Sequence, residues 1–297
     1  PLPAPIDKSI SQSFPRKGQL LFQIKRHHVS DKRVRWAKPV TTRDCSIVYV
    51  THNAAVSALA AEPSDELMPN SPPGYQTKQE SIAVHGVPNL LIRSLLDKQQ
   101  FYDPENAALE LGISSAYWSL FGLLWPSGSR LAERLALRTV NADERILELG
   151  CGLALSSLVG HRRGANITAS DCHPLAGEFL RENLRLNNLS PMDYQHGHWG
   201  QHAAQQQDPA VNRKFDLIIG SDILYERDEQ GDLAHYINEH MEDHAEVWVV
   251  DPNRGNRAHF HRHMAAQGFK LSEEALDISA SQTETAYKGR MLTYSRD

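Results

Sequence analysis

The last two hundred or so residues predict an α/β fold, a doubly wound and mostly parallel sheet. Apolar, strand-like runs alternate there with stretches of helical periodicity, a pattern that indicates βαβ crossovers between parallel strands. One run, residues 145–149, leads directly into glycines and then into a helix, as ligand-binding loops of such sheets do. With 40% hydrophobic and 23% charged residues, the composition is that of a globular chain rather than of a disordered or fibrous one.

The predicted elements divide the chain into an extension, residues 1–80, and a main domain, residues 81–297. The extension is predicted to be weakly structured, with one short strand at 46–51 and a linker rich in Pro, Ser, Asn and Gly at 61–80. A β-hairpin, 81–85 with 90–96, begins the main domain, and helical periodicity follows at Leu131, Leu135 and Leu137. The strands predicted after it are 145–149, 166–170, 215–221, 245–250, 269–272 and 290–294. The helices predicted between them are 153–163, 174–188, 228–242 and 256–267.

The charge distribution is uneven along the chain. Residues 1–38 carry nine Lys or Arg, all within 8–38, against Asp7 and Asp31; this net charge of +7 within a total of −5 leaves −12 for the remainder. Such a basic segment can bind nucleic acid or an acidic partner. We favour a solvated tail instead, because Trp36 is the one aromatic residue of this segment that directly adjoins a basic residue.

Cysteine and apolar patterns exclude several classes of protein. No apolar run reaches the roughly 18 to 20 residues that span a bilayer, and the first residues do not resemble a signal peptide. The three cysteines show no Cys-x-x-Cys spacing, and His259 and His263 have no acid or cysteine at ligand spacing. We therefore expect a cytoplasmic protein without a disulfide framework, a metal site or a membrane partner.

The strand-glycine-helix segment carries the prediction of a cofactor. Gly150 and Gly152 let the backbone approach a ligand, and Glu148 suits a cationic or hydroxylated group. A dinucleotide fold would place a third small residue at the position of Leu155. Asp171, 21 positions after Gly150, stands where an acid accepts hydrogen bonds from two ribose hydroxyls. A nucleoside cofactor without a diphosphate, such as S-adenosylmethionine, fits this pattern.

These motifs resemble those of the class I, or seven-β-strand, S-adenosylmethionine-dependent methyltransferases. Glu148-Leu-Gly-Cys-Gly152 resembles their first motif, Asp171 their second, and residues 215–226 their fourth. Asp222 and Tyr225 are similar to the Asp-x-x-Tyr signature of a subgroup that contains many protein-lysine methyltransferases. The resemblance covers residues 81–297 and implies a Rossmann-like sheet of seven strands whose final strand is antiparallel.

Two tryptophans extend the resemblance. Trp125-Pro126 resembles the Trp-Pro element that precedes the first motif in the same subgroup. Trp199 stands where relatives place a Trp beside the adenine, although His198 replaces the acid that usually precedes it.

The resemblance implies a site for methyl transfer to nitrogen, with a protein lysine as the favoured acceptor. The implied catalytic residues are Asp222 and Tyr225, and the implied cofactor-binding residues are Trp125, Glu148, Gly150, Gly152, Asp171, Trp199 and Ser221. Residues 251–255, Asp-Pro-Asn-Arg-Gly, are expected to line the acceptor pocket.

Alternative roles remain open for several of these residues. Asp222 could cap a helix, Tyr225 could pack in the core, and the tryptophans could be plain core residues. The alternative functions are a small-molecule or nucleic-acid methyltransferase, or a cofactor-binding scaffold without turnover. The amino-methylating nucleic-acid enzymes usually show Asn/Asp-Pro-Pro-Tyr, whereas Ser-Asp-Ile-Leu stands here at 221–224.

Overall fold

The computed structural model describes residues 74–200, 209–280 and 285–296. All of them belong to the second of two units of the chain, Leu67–Asp297. The basic segment 8–38, the strand predicted at 46–51 and the linker up to residue 73 lie outside the described residues. The domain boundary predicted after residue 80 stays a prediction.

The secondary structure begins with a hairpin and continues as alternating strands and helices. The hairpin comprises β1 (Thr77–Val84) and β2 (Val87–Leu95), and it is followed by α1 (Ala107–Glu110), a 3-10 helix (Trp118–Gly122) and α2 (Pro126–Leu137). The remaining elements are β3 (Arg145–Leu149), α3 (Leu155–Arg162), β4 (Asn166–Asp171), α4 (Ala176–Leu186), β5 (Asp193–His196), β6 (Phe215–Ser221), α5 (Asp232–His240), β7 (Met241–Asp251), α6 (Arg257–Ala266), β8 (Lys270–Ile278) and β9 (Tyr287–Ser295).

Seven of these strands form one sheet in the order β5-β4-β3-β6-β7-β9-β8. The five strands from β5 to β7 are parallel, and β9 is antiparallel to both of its neighbours. The predicted α/β class, the Rossmann-like sheet of seven strands and the antiparallel final strand are confirmed.

Helices cover both faces of this sheet, because successive strand residues point to opposite sides. On one face, Leu131 and Leu135 of α2 pack in a buried cluster with Ile146, Leu217 and Ile219. On the other face, side chains of α5 and α6 pack against the alternate residues of the same strands: Leu233, Ile237, Phe260 and Met264 with Leu147, Ile218 and Val247. The predicted doubly wound arrangement is thereby confirmed.

The hairpin is attached to the main domain through α4. Asn187 and Asn183, one helical turn apart, accept hydrogen bonds from the backbone N–H of Leu91 (2.9 Å) and Arg93 (2.8 Å). Asn187 also donates to the carbonyl of Leu91 at 2.8 Å. These side chains pair the free edge of β2, which would otherwise expose its backbone groups.

The structure corrects several predicted boundaries. β1 begins at Thr77, so residues 77–80 are strand residues rather than linker. The sequence did not predict β5, whose four residues Asp-Tyr-Gln-His include no aliphatic side chain. α5 begins at Asp232, four residues after its predicted start, because Asp228 organises the preceding turn. No helix in the described ranges is long and apolar enough to cross a membrane.

Candidate active site

A cavity of about 770 Å³ opens at the carboxyl ends of the parallel strands. It lies beside β3, which pairs with β4 on one side and β6 on the other, so the chain changes direction across the sheet at this point. Such a switch point is where open α/β sheets bind ligands. The structure brings all nine predicted site residues together in its lining: Trp125, Glu148, Gly150, Gly152, Asp171, Trp199, Ser221, Asp222 and Tyr225.

The loop after β3 is closely packed against its surroundings. Gly150 and Gly152 have φ of +58° and +52°, in the left-handed region that favours glycine. A Cβ atom on Gly150 would lie 2.9 Å from Cγ2 of Ile223, and one on Gly152 would lie 2.8 Å from the carbonyl oxygen of Phe121. Glycine is therefore required at both positions by backbone conformation and by space.

Asp171 braces this loop from the end of β4. Its Oδ2 accepts a hydrogen bond from the backbone N–H of Gly152, and its Oδ1 accepts one from that of His173, both at 2.8 Å. Burial raises the pKa of Asp171, and these two hydrogen bonds oppose the shift. Each carboxylate oxygen can accept a further hydrogen bond. The predicted ribose contact is compatible with this arrangement and stays a prediction.

Glu148 is turned toward the first turn of α3. Its Oε2 accepts hydrogen bonds from the backbone N–H of Ser157 at 2.9 Å and from the Ser157 hydroxyl at 2.5 Å. A helix N-terminus favours a negative charge in this position. The side chain is nevertheless buried, and burial raises its pKa to about 7. Glu148 therefore ties the end of β3 to the first turn of α3 and also lines the cavity.

Asp222 follows β6 in a left-handed conformation, with φ of +58°, and forms an ion pair across the cavity wall. Its Oδ1 accepts a hydrogen bond from Nε of Arg254 at 2.5 Å. Asp251 holds Arg254 in turn, by accepting its backbone N–H at 2.9 Å. The alternative role of Asp222 as a helix cap is wrong, because Asp228 accepts the backbone N–H groups of Gly231, Asp232 and Leu233 at the start of α5.

Two tyrosines stand at the mouth of the cavity. Tyr225 is 44% exposed and Tyr117 is 43% exposed. Their ring centroids are 6.0 Å apart. Core packing, the alternative for Tyr225, is therefore wrong. Sequence reasoning missed Tyr117, which belongs to no recognised motif and reaches Tyr225 through the fold.

The remaining predicted residues form the walls. Nε1 of Trp125 donates to the carbonyl of Leu120 at 2.9 Å. Trp199 packs on Tyr236, and its ring lies 3.9 Å from the Cβ position of Gly150. Both tryptophans are half-buried and line the cavity, so neither is a plain core residue. Ser221 ends β6, and its Oγ lies 3.5 Å from the Cβ position of Gly128 in α2.

The cavity is rich in carboxylates. Six acidic side chains line it: Glu148, Asp171, Asp222, Glu226, Asp228 and Asp232. The two arginines in its lining are each paired with an acid, Arg254 with Asp222 and Arg227 with Glu229. Within the described part of the chain, no group of three or more His, Cys, Asp or Glu side chains is placed to hold a metal ion. This charge distribution suits a cationic ligand better than a polyanion.

The fold and this site are of the class I methyltransferase type. Residues 113–266, just over half of the chain, match the lysine methyltransferase family, and the chain belongs to that family. The family identifies S-adenosylmethionine as the cofactor. The residues present fit it, because the glycines leave room for a ligand and the cavity offers carboxylates to a sulfonium and to ribose hydroxyls.

Individual relatives are more distant. The chain is 27% identical over 170 residues to the electron transfer flavoprotein beta subunit lysine methyltransferase of Xenopus laevis, covering 56% of this chain and 64% of that protein. A histone-arginine methyltransferase of Xenopus laevis is 30% identical over 134 residues, which is 43% of this chain and 55% of that protein. The chain thus spans less than two thirds of the length of these relatives: 64% of the Xenopus laevis flavoprotein-subunit methyltransferase and 50% of that of Danio rerio. Among solved structures, a methyltransferase from Pyrococcus furiosus matches with a TM-score of 0.46 and 16% identity, over 59% of this chain and 84% of that chain.

Substituting Gly152 tests the packed loop. We expect Gly152→Ala to lower the affinity for S-adenosylmethionine about tenfold or more, because the new methyl group must displace the Phe121 carbonyl. Gly164→Ala is the matched control, since Gly164 also has a positive φ but nothing lies within 4 Å of its Cβ position. Both variants incur a left-handed backbone cost of roughly 1 to 2 kcal/mol. Titration calorimetry and thermal unfolding separate the two effects; equal affinities would contradict the close packing.

The raised pKa of Glu148 predicts a pH-dependent stability difference. A carboxyl whose folded-state pKa is about 7, against an ordinary 4.5, binds more protons in the folded state between these values. The free energy of unfolding of the wild type, relative to Glu148→Gln, should therefore fall as pH rises from 4.5 to 7, by up to about 3 kcal/mol. Urea unfolding of both proteins at pH 5 and pH 8 measures the change; a pH-independent difference would show that burial does not perturb this carboxyl.

Proposed function

We propose that this chain is an S-adenosylmethionine-dependent N-methyltransferase whose acceptor is a lysine side chain of another protein. The observation that carries the proposal is Asp222, a carboxylate beside the switch point of the sheet in a cavity that opens between two tyrosines. The relative from Xenopus laevis that acts on the electron transfer flavoprotein beta subunit, and a protein N-terminal and lysine N-methyltransferase of Yarrowia lipolytica, support a protein amine as acceptor.

The loops after β3, β4 and β5 would hold the cofactor. Gly150 and Gly152 would present backbone groups, Asp171 would accept the ribose hydroxyls, and Trp199 would cover the adenine. S-adenosylmethionine supplies a methyl group already activated on a sulfonium. The protein must therefore align the acceptor amine and receive it deprotonated.

Asp222 and the two tyrosines would receive the acceptor. Tyr117 and Tyr225 offer ring faces to an ammonium at the entrance, a contact worth about 0.5 to 2 kcal/mol. Asp222 would accept a hydrogen bond from the amine and stabilise the positive charge that grows on nitrogen in the transition state. The side chain of Asp222 is 9% exposed, so little water would screen this interaction.

Arg254 offsets part of the negative charge of Asp222. A lone carboxylate would hold the incoming lysine as an ammonium, which has no lone pair to attack with. The guanidinium on Oδ1 of Asp222 offsets this attraction and favours the neutral amine.

Two other functions would be detected by the labelling experiment described below. The histone-arginine methyltransferase among the relatives makes an arginine acceptor a candidate, and a scaffold would bind the cofactor without transferring the methyl group. A cytoplasmic location stays a prediction, and nucleic-acid binding through residues 8–38 stays the less favoured alternative to a solvated tail.

Isotope labelling tests the proposal together with Asp222→Asn. Wild-type protein is incubated with tritiated S-adenosylmethionine and protein extract, and the labelled residue is identified by mass spectrometry. We expect methyl-lysine, and a fall of about a hundredfold for Asp222→Asn, or about 2.7 kcal/mol, with unchanged cofactor affinity. Asp243→Asn, at the start of β7 and hence at the opposite edge of the sheet, is the control. Labelled nucleic acid, labelled arginine or full activity of Asp222→Asn would each overturn the proposal.

The role of Arg254 is tested by the pH dependence of turnover. Without the guanidinium, Asp222 should favour the ammonium form of the bound acceptor, so Arg254→Gln should move the acidic limb of the kcat profile, which reports the enzyme–substrate complex, upward by about one pH unit. Activity should recover at high pH, and Arg254→Lys should restore the wild-type profile. A profile that is scaled down without a shift would mean that Arg254 only holds the loop in place.

A further inference from the structure

Exposed large apolar side chains are concentrated in the stretch of chain that leads from β2 to the cavity mouth. Among the described residues, five of the seven that are exposed lie between β2 and the 3-10 helix, and a sixth is Tyr225. We call these six the mouth surface: Leu96, Phe101, Tyr102, Leu109, Tyr117 and Tyr225, each between 40% and 61% exposed. The seventh, Leu137, ends α2 before β3 begins and so lies toward the amino ends of the parallel strands, at the edge opposite the cavity.

Ring contacts join the aromatic members of this surface to a common support. Phe101 packs edge-on against buried Trp118, with centroids 5.7 Å apart. Tyr102 lies 6.3 Å from Tyr75, which in turn lies 5.7 Å from Trp118. Tyr117 precedes Trp118 in the chain and contacts Tyr225. Phe101 and Tyr102 are thus connected through Trp118 to Tyr117, which lines the cavity together with Tyr225.

Polar contacts fix the segment that carries the surface. The carboxylate of Asp103 accepts the backbone N–H groups of Ala108 and Leu109, at 3.2 and 3.1 Å. The hydroxyl of Ser119 donates to the carbonyl of Lys98 at 2.8 Å. Leu109 is thus presented to solvent by an anchored turn, and Leu111 two residues later lines the cavity.

The charge around the mouth surface is mainly negative, although Lys98 is also exposed between Leu96 and Phe101. Glu105, Glu110 and Glu226 are exposed, and none of them has an ion-pair partner among the described residues. Arg227 on the same rim is already paired with Glu229 at 2.5 Å. A partner that covers this surface must therefore bring positive charge together with apolar side chains.

We propose that the mouth surface docks the acceptor protein through a basic segment that carries exposed apolar side chains next to the methylated lysine. The inference rests on the proposed function, because it assigns the surface to the partner whose lysine enters between Tyr117 and Tyr225. Apolar patches of this kind mark interaction sites, and aromatic anchors contribute much of the binding energy in protein interfaces.

Serine substitutions at the mouth surface separate docking from chemistry. Leu109→Ser is the main variant, because Leu109 is 61% exposed and its loss should leave the fold intact, and Phe101→Ser is the second. Leu137→Ser, which removes a leucine that is 64% exposed at the other edge of the sheet, is the matched control. The probe is unfractionated protein extract with tritiated S-adenosylmethionine, diluted until labelling is proportional to extract concentration.

Under these conditions the labelling rate reports kcat/KM. We expect it to fall about tenfold in Leu109→Ser and Phe101→Ser and to change less than twofold in Leu137→Ser. Saturating extract should restore the rate, and cofactor affinity by calorimetry should not change. Glu110→Lys should lower kcat/KM as well, whereas Asp243→Lys, at the amino end of β7, should not.

The outcomes distinguish a failure of the proposed function from a failure of the docking surface. If wild-type protein labels no protein in the extract, the proposed function fails. If wild type labels protein but Leu109→Ser and Phe101→Ser behave like Leu137→Ser, the docking surface is wrong while the proposed function stands. If the labelling rate of these variants stays low at saturating extract, the docking surface is also wrong, because the substitutions would then act on the chemical step.

Discussion

Asp171 connects three loops, and the shape of the cavity depends on it. Its two carboxylate oxygens hold the backbone of Gly152 after β3 and of His173 after β4, and its own carbonyl accepts the backbone N–H of Gly197 after β5 at 3.2 Å. Pairing between strands fixes where each loop begins, but it does not fix the path that the loop takes beyond the strand end. One short, buried residue that is hydrogen-bonded to all three loops removes that freedom, so these loops are held together by the protein's own groups.

This arrangement has an electrostatic cost that a cationic ligand can offset. Asp171 and Glu148 are both buried, and burial raises the pKa of each. Backbone and hydroxyl donors compensate only part of the lost hydration. A positive charge brought into the cavity would favour the ionised form of both carboxyls. The same negative field that destabilises the free protein therefore selects for a sulfonium and an amine against a phosphate.

Local pattern predicted those parts of the fold whose signals lie within a few residues. Apolar runs identified β3, β4 and β6, and the spacing from Gly150 to Asp171 identified two loops that meet at the switch point. β5 was missed because its four residues show no apolar run and β4 is its one partner within the sheet. The pairing of Arg254 with Asp222 has no local signal either. It arises because β6 and β7 are adjacent and parallel, so the loops that follow them meet 32 positions apart in the chain.

The backbone conformation of the loops after β6 and β7 bears on the role of the Asp222 side chain. Asp222 and Asn253 are both left-handed, with φ of +58° and +61°. Glycine would adopt this conformation more cheaply, while another residue costs roughly 1 to 2 kcal/mol. Asp and Asn tolerate the conformation better than other side chains, but the backbone alone still favours glycine. At position 222 the carboxylate forms an ion pair with Arg254, and among the described residues it accepts no hydrogen bond from a backbone N–H that would make it a cap. A left-handed acid with a cationic partner in the lining of a ligand cavity is best explained by a need for its charge at that point.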